Sequence, residues 1–184
     1  RIRKRILNGE DFETVARATS DDPSVKTNGG DLGWFTAFRM IYPFESAAYK
    51  TQPGSISIPV RTRFGYHIIQ VIEKRPARGE VKVAHIMVLT PETMTDNDRN
   101  QAKAKIEQYY DSLKAGADFS RLAINYSEDR GSASRGGELQ WFGTGRMVPE
   151  FEEASFAIKN IGDYSNPIKT SFGWHIIKLL DKRG

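Results

Sequence analysis

The chain has 184 residues, 27 of them Lys or Arg against 23 Asp or Glu, for a formal charge of +4. It lacks cysteine, which excludes a disulfide framework, a thiolate nucleophile and a cysteine zinc site. Three histidines, His67, His85 and His175, and carboxylates without metal-ligand spacing point to no metal and no cofactor, and no apolar run reaches the ~20 residues of a membrane span.

Residues 1–8 read as the last turns of a helix closed by Gly9. Phe12, Val15 and Ala16 at helical spacing after Asp11 give a second helix with an Asp N-cap. Residues 22–30 form a loop and residues 32–36 a short strand. Pro43 opens a helix that runs to about Tyr49, residues 52–54 turn, and strand patterns follow at residues 58–60 and 67–73. Residues 75–80 link this half to the next.

The second half opens on VKVAHIMV, residues 81–88, an apolar strand with one histidine inside it. A helix follows with Asp96 as its cap, its inner face marked by Ala102, Ile106, Tyr109 and Leu113 and its end by Gly116. Asp118 caps the next helix, with Phe119, Leu122, Ala123 and Tyr126 inward. Residues 127–135 form a loop, residues 138–142 a strand, residues 149–158 a helix, and residues 164–168 and 175–180 the last two strands.

The two halves repeat. GGDLGWFTAFRMIYPFESAAY at residues 29–49 matches GGELQWFGTGRMVPEFEEASF at residues 136–156 at an offset of 107, and Phe64, Gly65 and His67 match Phe172, Gly173 and His175 at 108. Subtracting the same offset from Val81 and His85 gives negative positions. The first unit is therefore expected to lack its first strand and most of its first helix. The expected domains are residues 1–76 and 77–184, each α+β with helices over a mainly antiparallel four-stranded sheet. The repeat also aligns the basic run at residues 1–5 with the helix around Tyr109, so that run reads as a solvated helix end, not a nucleic-acid face.

VAHIMV, YSED, RGGELQWF, RMVPEFEEASF and FGWHII, in this order, resemble the parvulin family of peptidyl-prolyl isomerases over residues 81–184. Residues 6–74 resemble the same domain without its beginning, and the tandem resembles the SurA-type chaperone-isomerases. The resemblance implies a catalytic set of His85, Asp129, Thr170 and His175 and a proline-binding surface of Leu139, Phe142, Met147, Phe151 and Phe172. Asp22, Leu32, Phe35, Met40, Phe44, Thr62, Phe64 and His67 are the first-unit equivalents. It also implies unfolded or extended proline-containing clients, among them outer-membrane protein precursors, and a periplasmic or otherwise extracytoplasmic location.

Such chemistry needs no cofactor, because a prolyl amide isomerises without bond breakage and an apolar cup favours its less dipolar twisted form. The bland readings stay open. His85 and His175 inside apolar strands serve equally as a hydrogen-bonded structural pair, Asp129 as a helix-end cap, and Trp34 and Trp141 as packing. Departures from the family are Val148, where relatives carry a polar residue, and Asn28 in the place of Arg135. The loop at residues 90–98 carries Glu92, Asp96 and Asp98 where phosphate-selective relatives are basic, so phosphorylated substrates are expected to be disfavoured. Two functions follow: an isomerase, or a chaperone-like module holding peptides in the same groove with little turnover.

Overall fold

A computed structural model describes all residues 1–184 and divides them into two units, Arg1–Ala77 and Arg78–Gly184. Unit 2 is built on two long strands, β3 (Glu80–Leu89) and β6 (Gly173–Arg183), paired antiparallel along their length with one register shift between Lys82 and Val83. Both strands are apolar on both faces because both faces are covered. On one side Ala84, Ile86, Val88 and Ile176 pack against α5 (Asp96–Lys114) and α6 (Phe119–Tyr126), through Ala102, Ile106, Tyr109, Leu113, Phe119 and Ala123. On the other, Val81, Val83, Ile177 and Leu179 meet Phe142 and Phe151, the latter on α7 (Pro149–Ala157). Short edge strands β4 (Phe142–Gly143) and β5 (Ile168–Lys169) complete the sheet order β4-β3-β6-β5.

Unit 1 holds the same parts in reduced form. Helices α1 (Ile2–Leu7), α2 (Phe12–Thr19), the single turn α3 (Val25–Asn28) and α4 (Tyr42–Lys50) surround one hairpin, β1 (Val60–Thr62) with β2 (Gly65–His67). Ile69, Val71 and Ala48 form its small core, with Phe35 and Phe44 against them. Unit 1 has no strand in the place of β3, and its sheet has two strands, not four.

Local signals account for most boundaries. Asp11 and Asp118 accept the N–H groups of Thr14 and Arg121 as N-caps, each worth about 1 kcal/mol. The cap of α5 is Thr95, not Asp96: its hydroxyl accepts the Asp98 N–H, and Asp96 sits in the first turn, where its charge suits the helix dipole. Residues 32–36 are coil instead of a strand. In unit 2 the equivalent segment is held by β3, with Val81 opposite Phe142 and a bridge between Ala84 and Glu138. Without such a neighbour an extended segment gains no ladder bonds. The strands expected at residues 67–73 and 164–168 likewise shrink, to β2 with an Ile56–Gln70 bridge and to β5 with a Tyr164–Lys178 bridge. Trp34 and Trp141 each lie under a guanidinium, Arg75 at 3.9 Å and Arg183 at 4.3 Å from the ring centres.

The turn glycines record how closely β3 passes. A Cβ on Gly137 would lie 2.1 Å from the His85 carbonyl oxygen, whereas one on Gly30, its repeat equivalent, meets nothing nearer than 3.4 Å. Both glycines have positive φ, so alanine strains either by about 1–2 kcal/mol. Only Gly137→Ala also pushes on backbone. Calorimetry is therefore expected to show a melting drop of about 10 °C or more for unit 2 with Gly137→Ala, and a smaller drop for unit 1 with Gly30→Ala. Equal drops would contradict the close passage of β3.

Candidate active site

The antiparallel register places His85 opposite Ile177 and His175 opposite Met87, so the two histidines are diagonal neighbours on one face of the sheet. Their rings stack at 5.4 Å with Nδ1 atoms 3.2 Å apart, and both residues are buried. Phe151 closes over them edge-on, 5.5 Å from the His85 ring and 5.4 Å from His175. His85 Nε2 lies 2.8 Å from Asp129 Oδ2 and 3.2 Å from Ser132 Oγ, while His175 Nε2 lies 2.8 Å from Thr170 Oγ1. Ser132 also donates to Asp129, as does the Gly131 N–H.

The donor inventory orients this chain. Asp129 can only accept, so His85 presents Nε2–H to it and leaves Nδ1 as an acceptor. His175 must then donate from Nδ1, and its bare Nε2 accepts from the Thr170 hydroxyl. That hydroxyl in turn accepts the Phe172 N–H at 3.1 Å. Donation thus runs one way, from Thr170 through His175 and His85 to Asp129, and every buried polar atom of the series is satisfied.

Electrostatics agree with neutral rings. Burial pushes His175 down to about 3, with His85 and Lys169 adding to the effect and Asp129 opposing it. Burial also lowers His85 against the pull of Asp129. For Asp129, burial works upward, yet hydrogen bonds from Ser132, His85 and Gly131 outweigh it and hold the carboxyl below its ordinary range. The site holds a carboxylate beside two uncharged imidazoles.

The apolar residues expected to bind proline separate by depth. Phe142 and Phe151 are buried, Leu139 and Met147 half-buried, and Phe172 is 59% exposed. Phe151 therefore lies at the floor, packed against the histidines. Asp129 lies in the loop beyond α6, which ends at Tyr126, and its side chain stays 25% exposed. Lys169 reaches Thr90 Oγ1 and, at 3.1 Å, the Thr170 carbonyl. Ser132, 1% exposed, is the member that sequence reasoning missed. The repeat gave no signal for it, since Ser132 aligns with Val25 while Asp129 aligns with Asp22.

Unit 1 assembles half of this arrangement. Thr62 Oγ1 lies 2.7 Å from His67 Nε2 and accepts the Phe64 N–H, as Thr170 does for Phe172. Phe44 sits edge-on to His67 at 5.4 Å, and Phe35 lies 6.4 Å from Phe44. Met40 is half-buried, Leu32 and Phe64 are exposed, and no second histidine is present. Asp22 is exposed and accepts the Ser24 N–H, which holds it below the usual carboxylate range.

The neutral burial of the histidines has a signed consequence. Their folded values lie below the unfolded 6.5, so the unfolded chain binds more protons between about 3 and 6.5 and stability rises with pH through that window. The urea midpoint of unit 2, followed through its amide signals, is expected to be flat above 6.5 and to fall steadily as the pH drops towards 4. A midpoint unchanged over that acid range would contradict the neutral pair.

Comparison with known proteins places this geometry. The PPIC-type PPIase domain matches residues 74–183, and a second match to a PPIC-type PPIase domain covers residues 1–73. The chain is 39% identical to the Chaperone SurA of Hahella chejuensis and 36% identical to that of Methylococcus capsulatus, covering 100% of this chain in both. It spans 42% and 40% of the length of those relatives. A crystal structure of a PpiC-type peptidyl-prolyl cis-trans isomerase domain is 27% identical, with a TM-score of 0.50 over 56% of this chain and 91% of that one. With a family match over more than half its residues, seated on the strands that carry His85 and His175, the chain belongs to the PPIC-type PPIase domain family.

Proposed function

We propose that unit 2 is a peptidyl-prolyl cis-trans isomerase acting on Xaa-Pro bonds of unfolded or extended polypeptides, without selectivity for phosphorylated residues. The observation that carries this reading is the oriented chain from Thr170 to Asp129, with Phe151 edge-on to both histidines and half-buried Leu139 and Met147 packed against the cluster that contains Phe151. An Xaa-Pro amide faces a barrier of about 18–20 kcal/mol, set by loss of conjugation. Its planar form carries negative charge on oxygen and positive charge on nitrogen. The twisted form carries less of both, so an apolar, partly dehydrated surface around the proline ring favours the twisted form.

Asp129 works in the same direction. A carboxylate held ionised beside the substrate carbonyl disfavours charge on that oxygen, and so disfavours the conjugated planar state. The histidines, buried under Phe151, hold Asp129 and Thr170 in place and exchange no proton with the substrate. Arg99 is turned onto the carbonyls of Met94 and Glu92 and Lys169 onto Thr90 and Thr170, so the cations near the residue 90–98 loop are already engaged.

The second reading is a chaperone-like module that holds peptides in the same apolar groove with little or no turnover. The relatives' name, Chaperone SurA, supports polypeptide clients for the tandem. We extend this to outer-membrane protein precursors and to an extracytoplasmic location. No helix is long and apolar enough to cross a membrane.

Exchange spectroscopy on Ala-Pro peptides, with the chain substoichiometric, is expected to show faster cis-trans exchange. Met147→Ala should remove about nine-tenths or more of that enhancement with a melting shift of only a few degrees, because a half-open side chain leaves no closed cavity. Met40→Ala should leave it nearly unchanged. Equal losses from the two variants, or no enhancement by the wild-type chain, would sink the assignment to unit 2.

A separate comparison concerns charge. Ala-Pro peptides should be turned over faster than phosphoserine-Pro peptides of the same sequence. A clear preference for the phosphopeptide would overturn the proposed indifference to phosphate.

A further inference from the structure

Along the edge of β3 that faces away from β6, the odd-numbered residues carry the bonding groups, and three different segments satisfy them. Val81 pairs with Phe142 of β4. Further on, the Val83 carbonyl accepts the Leu139 N–H and the His85 N–H reaches the Gly137 carbonyl, both at 2.9 Å. Beyond His85 the partner is no longer a strand or a turn backbone. The edge is closed there by Ser127 and Glu128, the two residues before Asp129.

Three contacts close it. The Glu128 N–H donates to the Met87 carbonyl at 2.8 Å. The Ser127 hydroxyl accepts the Met87 N–H at 3.1 Å, and Glu128 Oε2 accepts the Leu89 N–H at 2.7 Å. Two side-chain oxygens thus stand where a neighbouring strand would present carbonyls. The other carboxylate oxygen of Glu128, Oε1, takes the Lys105 ammonium of α5 at 2.6 Å. Ser127 also ends α6, its N–H donating to the Ala123 carbonyl.

Taken alone, Lys105 with Glu128 is a surface ion pair, the two side chains 45% and 32% exposed, and such pairs add little to stability. The bond to Leu89 is of another kind. It is charge-assisted, it ends on main chain, and it fixes the residue next to Asp129. Asp129 Oδ2 meets His85 Nε2 at 2.8 Å, and the loop that continues from it returns to β3 at Gly137. Asp129 is therefore strung between two anchorages on one strand, Glu128 at Met87 and Leu89 and Gly137 at His85.

We propose that Glu128 is a positioning residue for the reaction of unit 2: by reaching the Leu89 N–H it moors this loop to the end of β3 and so keeps Asp129 on His85. Glu128 bonds to neither histidine and acts through Asp129. The length of its side chain is the operative feature, because an oxygen must reach Leu89, and its charge is secondary. The effect on turnover rests on the isomerase reading of unit 2, whereas the effect on the Asp129–His85 contact does not.

The test separates reach from charge in the full 184-residue chain. Glu128→Asp keeps the charge but is one methylene too short for Leu89. Glu128→Gln loses the charge and keeps an oxygen at the same reach. With Glu128→Asp, amide exchange at Leu89 and exchange of the His85 Nε2 proton with water are expected to quicken at least about tenfold, and Ala-Pro turnover to fall about tenfold through kcat, with KM moving less than about twofold. Glu128→Gln should hold all of these within about twofold of wild type. Lys105→Met, which removes the ion pair and leaves the Leu89 bond, should do the same. A loss with Glu128→Gln that Glu128→Asp does not show would make charge the operative feature and overturn the proposal. So would a Leu89 amide that quickens while the His85 proton does not, or lost turnover with both exchange rates unmoved. If the wild-type chain shows no turnover, the isomerase assignment falls, and the two exchange rates still decide whether Glu128 holds Asp129 in place.

Discussion

The β3–β6 ladder is the constraint on which unit 2 depends. It is the only long pairing in the sheet, it carries apolar residues on both faces, and it supplies both histidines. One face holds α5 and α6 through Ile86 and Ile176, and the other holds Phe142 and Phe151 through Val83, Ile177 and Leu179. A slip of one residue would turn His85 to the α5 side and put an aliphatic residue beside Asp129. Stability and site geometry are thus read from one register, and Gly137 and Gly173 are the places where its tight passage shows.

From that register follows a polar series inside an apolar layer. A buried imidazole is costly unless both nitrogens are satisfied, and here each ring has one donor and one acceptor role assigned by its neighbours. Asp129 sets the direction, because a carboxylate cannot donate. Removing it would leave the His85 N–H only the longer contact to the Ser132 hydroxyl, at 3.2 Å. The arrangement is stiff for the same reason, and a stiff carboxylate is what the proposed twisted-amide mechanism needs. Unit 1 holds the same Thr-x-Phe-Gly-x-His hairpin, with Thr62 on His67.

Much of this was legible in the residues. A run apolar on both faces announced β3, Asp11 and Asp118 announced their caps, and the repeat placed Thr170, Phe172 and His175 against Thr62, Phe64 and His67. What was not legible depended on partners distant in sequence. Residues 32–36 and 138–142 look alike, yet neither is a strand in its own right; the second gains β4 only because β3 lies beside it. Thr95 took the cap of α5 from Asp96 because a hydroxyl one residue earlier reaches Asp98. Ser132 could be tied to Asp129 only once the loop had folded over His85.

The orientation of the histidine pair is where the account is most exposed. Long-range proton–nitrogen correlation spectra of the imidazole rings at pH 7 report protonation and tautomer directly. The account predicts two neutral rings, His85 protonated on Nε2 and His175 on Nδ1. An imidazolium at either position, or the reverse tautomer at either ring, would contradict it.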